Sequence, residues 1–209
     1  MIKRQPAVVV LAAGRGSRFR GAGHKLEQAL TLTAGGETVL ASSLGHALAT
    51  RLRVVVVTTA SLAPAVHRLI PARDIVVLPE RNAAGQAQHI GMGHSIAAGV
   101  SASGDAEGWL ILPADMPLVQ PSTILAVAAG LEHFPVCFAQ HLGLQGHPVG
   151  FGTELYTELT SLEGDEGARR IVARFGAQPI VVDDPGVRVD IDTADDLRRL
   201  RQQFIQQGA

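Results

Sequence analysis

The chain has a single cysteine in 209 residues, Cys137. One thiol excludes an internal disulfide and a cysteine-based zinc site. An excess of either charge is also missing: 18 Lys and Arg against 19 Asp and Glu leave a formal net charge of -1. With 46% hydrophobic and 18% charged residues, this balance speaks against disorder and against a general polyanion-binding surface such as nucleic acid requires. Any anion site must be local. No uninterrupted apolar run approaches the roughly 18 residues of a membrane span. The opening "MIKRQPAVVVLAAGRG" turns glycine-rich too early for a signal peptide. Repeats, low-complexity tracts and linkers are absent too. The expectation is a soluble cytoplasmic protein with one domain over 1–209, shorter than the roughly 250 to 300 residues at which single cores divide.

What is present alternates. The short runs "AVVVLA", "RVVVVTT" (53–59), "DIVVLP" (74–79), "WLILPA" (109–114), "PVCFAQ" (135–140) and "QPIVVDD" (178–184) are expected strands. They are continuously apolar, as strands covered on both faces are in a mostly parallel sheet. Between them lie "TVLASSLGHALAT", "LAPAVHRLI", "STILAVAAGLEH" and "GARRIVARFG", with apolar residues at helical spacing. The fold class is therefore α/β, with three layers. A final helix is signposted in "TADDLRRLRQQF", with Thr193 as N-cap and Asp196 three residues on. The stretch 141–152, "HLGLQGHPVGFG", reads as irregular and as a substrate loop.

The first strand runs into "GRGSRFRGAGHK" (14–25). In open α/β sheets such a loop aims backbone N–H groups at an anion. A P-loop would need Ser or Thr after its lysine, whereas Leu26 follows Lys25. The dinucleotide fingerprint fails at Phe19, which stands at the third glycine, and the second strand ends without a ribose-binding acid. What remains is a loop with Gly14, Gly16, Gly21 and Gly23 for close approach and Arg15, Arg18, Arg20 and Lys25 for charge. A triphosphate needs both.

"LAAGRGSRF" followed by "HKL" resembles the signature loop of nucleotidyltransferases of the molybdenum cofactor type. "GMGHSIAAG" (91–99), "LPADMP" (112–117), "GHPVGF" (146–151), "GDEGAR" (164–169) and "DIDTADDL" (190–197) resemble further segments of that family, in its order and over nearly the whole chain. The resemblance implies a Rossmann-like nucleotidyltransferase fold and transfer of a nucleotidyl group, with release of pyrophosphate, to the phosphate of molybdopterin. Ala13 stands where guanylyl-transferring members carry Gly, which favours CTP over GTP. The chain departs from the family at His89 and His94, in the longer "GAGHK", and in "LTLTAGGET" (30–38).

The resemblance assigns the nucleotide to Leu11, Ala12, Ala13, Gly14 and Gly16, with Arg18 and Lys25 as triphosphate clamps. Asp115 ends a strand between Pro113 and Pro117. It is an expected Mg²⁺ ligand by the resemblance, the alternative being an N-cap. Asp190 and Asp192 alternate, so in a strand they would share a face. Asp190 is the second expected ligand, and Asp192 either joins it or caps the last helix. Ser95 either faces the nucleotide or caps a helix, and His147 either touches the second substrate or is structural. The remaining histidines, His24 among them, show no ligand spacing. No general base is required, because a phosphate monoester is already largely ionised at neutral pH. Other readings are guanylyl transfer to the same cofactor, transfer to a sugar or polyol phosphate, and a carrier that delivers the cofactor to a molybdenum hydroxylase.

Overall fold

The computed structural model describes residues 5–31, 36–80 and 90–207. His89, and residues 32–35 of the departure in "LTLTAGGET", lie outside them. The strands are β1 (Ala7–Ala12), β2 (Arg53–Thr59), β3 (Ile75–Leu78), β4 (Trp109–Pro113), β5 (Val136–His141), β6 (Leu144–Phe151) and β7 (Gln178–Val181). They form a seven-stranded sheet in the order β3-β2-β1-β4-β6-β5-β7. Only β6 runs antiparallel to its neighbours.

The helices are α1 (Val39–Ala49), α2 (Ala63–His67), α3 (Met92–Ala102), α4 (Pro121–Gly130), α5 (Tyr156–Thr160), α6 (Arg169–Phe175) and α7 (Ala194–Gln207). Strand β1 shows why three layers result. Its alternate residues Val8 and Val10 join Leu40, Leu44, Ile124 and Leu197, from α1, α4 and α7, in one core. Ala7 and Val9 join Ile96, Val100, Leu159 and Ile171, from α3, α5 and α6, in another. Each fully buried valine contributes on the order of 1.5 to 3 kcal/mol from the area it withdraws from water.

Helix α7 begins as its sequence signals. The Asp196 carboxylate accepts from Thr193 N at 2.7 Å, and Thr193 Oγ1 accepts from Asp196 N at 3.2 Å. These bonds satisfy N–H groups that a helix start leaves open.

The stretch 141–152 is a correction. It is largely strand β6, inserted between β4 and β5 after a tight turn in which Leu142 and Gly143 have positive φ. Its glycines answer to close packing, not to irregularity. A Cβ on Gly146 would stand 2.3 Å from Val187 O, and one on Gly150 3.1 Å from Cys137 Sγ. Residues 190–192, where a strand would have put Asp190 and Asp192 on one face, form none: a 3-10 turn at Pro185–Arg188 leads into irregular chain up to α7.

Candidate active site

The order β3-β2-β1-β4 reverses direction at β1, whose neighbours on the two sides are β2 and β4. The loops after β1 and β4 therefore part at the carboxyl edge and leave a crevice. The loop after β1 folds back through Gly16, with φ of 58°, to a 3-10 turn at Lys25–Glu27. His24 fastens that return. Its Nδ1 accepts from Leu26 N at 3.2 Å, so Nε2 carries the proton and donates to Gly14 O at 3.1 Å.

Across the crevice, two buried serines of α1 grip the turn that carries Asp115. Ser43 Oγ donates to Ala114 O at 2.8 Å and Ser42 Oγ to Pro117 O at 3.0 Å. The chain before α7 crosses the same turn, where Ile191 N donates to Asp115 O at 3.0 Å. Asp192 is thereby brought beside Asp115.

The three elements meet at Lys25. Its ammonium lies 2.6 Å from Asp115 Oδ2 and 3.0 Å from Asp192 Oδ1, and Arg18 Nη1 lies 2.7 Å from Asp192 Oδ2. Burial pulls the Lys25 pKa down, but the Asp115 and Asp192 carboxylates outweigh it and hold the value above its ordinary 10.5. A cavity of about 270 Å³ opens over this cluster, lined by Leu11, Gly14, Gly16, Arg18, Asp115 and Asp192 among others.

Most residues expected from the sequence converge here. Leu11, Gly14, Gly16, Arg18, Lys25 and Asp115 line the cavity; Ala12 and Ala13 are buried behind it. Asp192, not Asp190, completes the lining. Its helix-cap alternative falls away, since Thr193 and Asp196 cap α7. Asp190 is exposed outside the lining. Partial desolvation of its carboxyl, and then the Asp192 carboxylate beside it, raise its pKa. Ser95 is buried one turn into α3, and its hydroxyl donates to Gly91 O at 3.3 Å. It lines none of the cavities described here and caps nothing. Sequence reasoning missed His24, Ser42 and Ser43, because their roles rest on contacts across the fold and on no spacing.

Two further cavities flank the first. One, of about 390 Å³, is lined by Ala13, Gly14, Thr59, Ser61 and Glu80. The other, of about 560 Å³, holds His147, Gln145, Ile111, Phe151 and Arg169, and shares Met92 with the central cavity. Burial lowers the pKa of His147, opposed by the charge of Asp115.

The arrangement fits a divalent cation. Asp115 Oδ1 is buried with no hydrogen-bond partner, and an uncompensated carboxylate oxygen in such a place is costly unless a cation or donor meets it. Among the described residues no group of three or more His, Cys, Asp or Glu could hold an ion alone. A divalent cation there would be held by one or two carboxylates, with phosphate oxygens and water completing its shell.

Comparison with known proteins agrees with this geometry. The chain is 35% identical over 118 residues to purine catabolism protein PucB of Bacillus subtilis, covering 54% of this chain and 57% of PucB. It is 33% identical over 150 residues to bifunctional protein GlmU of Ralstonia pickettii, covering 69% of this chain and 29% of GlmU. It thus spans little more than half of the first relative and less than a third of the second. Among solved structures, Rv0371c of Mycobacterium tuberculosis superposes with a TM-score of 0.76 at 25% identity, over 95% of this chain and 98% of that one. The manganese complex of Rv0371c superposes at 0.72 and 26% identity, over 95% and 98%. Molybdopterin-guanine dinucleotide biosynthesis protein A of Archaeoglobus fulgidus shares the fold, with a TM-score of 0.68 at 16% identity over 96% and 99%. No helix among the described residues is long and apolar enough to cross a membrane. Residues 8–179 match the MobA-like NTP transferase domain, and the chain belongs to that nucleotidyltransferase family.

Proposed function

We propose that the protein transfers CMP from CTP to the phosphate of a molybdopterin-type acceptor, releasing pyrophosphate, with Mg²⁺ as cofactor. The observation that carries this reading is the pairing of Lys25 and Arg18 with Asp115 and Asp192 beneath a glycine loop. Such a set can hold a triphosphate and a cation at once. Ala13, the residue that favours CTP, lines the cavity on the β2 side, where a base next to Gly14 would lie. The cavity that contains His147 then receives the acceptor, with Met92 as the wall between the two substrates.

In the reaction an oxygen of the acceptor phosphate forms a bond to the α-phosphorus, and the bond from that phosphorus to the bridging oxygen of pyrophosphate breaks. No proton has to be removed from the nucleophile at neutral pH. Lys25 and Arg18 leave their carboxylate partners for the β- and γ-phosphate oxygens and stabilise the charge that pyrophosphate carries away. Asp115 and Asp192 would hold the divalent cation, which when bound neutralises charge at the α-phosphate. His24 and Gly16 keep the loop folded back so that Lys25 stays at the reacting end. His147, whose pKa burial lowers, lies on the acceptor side.

The test is pyrophosphate release from CTP, GTP and ATP, each with Mg²⁺, with and without freshly prepared molybdenum-loaded molybdopterin. Release with CTP and only in the presence of the pterin is expected. Release with GTP instead would make the protein a guanylyltransferase. No release from any nucleotide by folded protein would favour a delivery role.

A further inference from the structure

We infer that Arg169 is an acceptor-binding residue, and that its cavity selects phosphate monoesters with a largely apolar, ring-like body over sugar or polyol phosphates. This rests on the reading that the cavity holding His147 receives the acceptor. Arg169 is the first residue of α6 and lines that cavity. Its guanidinium has no partner among the described residues, whereas the neighbouring charges are spoken for. Glu166, the other charged lining residue, is paired with Arg170 at 2.6 Å. Burial lowers the pKa of His147, which favours its neutral form. The exposed Arg169 guanidinium is therefore the charge of this cavity that lacks a protein partner among the described residues, on a side chain whose planar fork suits a phosphate.

The placement of Arg169 is built into the packing. The turn before α6 is pressed against the start of α3, where Gly93 N donates to Gly164 O at 2.9 Å. Side chains would prevent that approach. A Cβ on Gly91 would lie 2.1 Å from Gly164 O, one on Gly93 2.5 Å from Glu163 O, and one on Gly167 2.8 Å from Met92 Sδ. These three glycines lock "GDEGAR" onto "GMGHS" and so fix Arg169 on the far side of Met92 from Lys25. Most of the remaining wall is apolar, with Ile96, Ile111, Val149 and Phe151 from α3 and the sheet and Val172 from α6, and Gln145, His147 and Glu166 are its polar members. A sugar or polyol would leave the hydroxyls that face the apolar part of this wall unpaired, at a loss in affinity. A flat ring gains from the same walls.

Two measurements test the inference. In the first, Arg169→Ala and Arg169→Lys are assayed for pyrophosphate release with CTP and molybdopterin. The alanine variant should raise KM for the acceptor ~10-fold or more while KM for CTP stays as in the wild type, and lysine should recover part of the loss. In the second, phenyl phosphate and glycerol 3-phosphate are titrated calorimetrically into protein loaded with a nonhydrolysable CTP analogue and Mg²⁺. Phenyl phosphate should bind ~10-fold tighter than glycerol 3-phosphate, and Arg169→Ala should remove most of its affinity. Equal phenyl phosphate affinity in wild type and Arg169→Ala, or glycerol 3-phosphate binding as tightly as phenyl phosphate, would overturn the inference. If molybdopterin fails as an acceptor but the second measurement gives the expected order, the proposed reaction falls and the role of Arg169 stands.

Discussion

The ammonium of Lys25 lies 2.6 Å from Asp115 Oδ2, with its side chain only 10% exposed. Without nucleotide, the lysine thus neutralises the carboxylates that would hold the cation. Because its pKa is raised, the pair persists through neutral pH. A triphosphate that draws Lys25 away would free the carboxylates for metal, and nucleotide and metal would then favour each other's binding.

Lys25→Ala should have opposite effects on metal binding and turnover. Mn²⁺ affinity in the absence of nucleotide, followed by electron paramagnetic resonance, should rise ~10-fold or more once the competing charge is gone. Turnover should fall at least ~100-fold, the scale for loss of one preorganised electrostatic group. Weaker or unchanged Mn²⁺ binding would show that Lys25 does not guard the carboxylates.

Of the two aspartates before α7, Asp192 should matter more. Asp115→Ala and Asp192→Ala should each lower turnover by ~100-fold or more with the fold intact, and Asp190→Ala by less than ~10-fold. A steady-state comparison of the three variants decides this, and a larger loss at Asp190 would return the metal site to the neighbouring carboxylate.

Asp196 links the start of α7 to pH. Hydrogen bonds from the Thr193 side chain, opposed by burial and helped by Arg199, hold its pKa at about 2 against an ordinary 3.8. A depressed carboxylate stabilises the fold above its unfolded value, and that contribution is lost as the pH falls from 3.8 toward about 2. Asp196→Ala should therefore cost about 1 kcal/mol at pH 7, the typical worth of a helix cap. Urea unfolding of variant and wild type should differ progressively less as the pH drops below 4; a constant difference would contradict the assignment.

Gly146→Ala places a methyl group 2.3 Å from Val187 O, a backbone atom that cannot rotate aside. Destabilisation of about 1 to 3 kcal/mol, as for overpacked interiors, is expected in denaturant unfolding. A neutral substitution would mean that β6 and the 3-10 turn at Pro185–Arg188 can separate freely.

The elements that position the site were legible in the sequence wherever a local pattern carries the physics. All six expected strands form, as do the five helices named with them, because apolar continuity and helical spacing decide which faces can be buried. Strand β6 was not legible. Glycine in a sequence signals freedom to turn, and only the nearness of Val187 and Cys137 reveals that Gly146 and Gly150 serve close packing. Asp190 and Asp192 show the same limit, since their alternation fixes a shared face only in a strand, and the chain there is irregular.

The sequence by itself determined the three-layer α/β class, the glycine and arginine loop after β1, and the presence of Lys25 and Asp115 at the carboxyl edge, because each depends on residues close in the chain. Tertiary structure alone decided that Asp192 meets Lys25 across 167 positions, that His24 clips the loop, and that Arg169 faces the cavity beside Met92. Those relationships arise where the β1 and β4 loops part and distant segments pack into the gap, and no local spacing encodes that meeting.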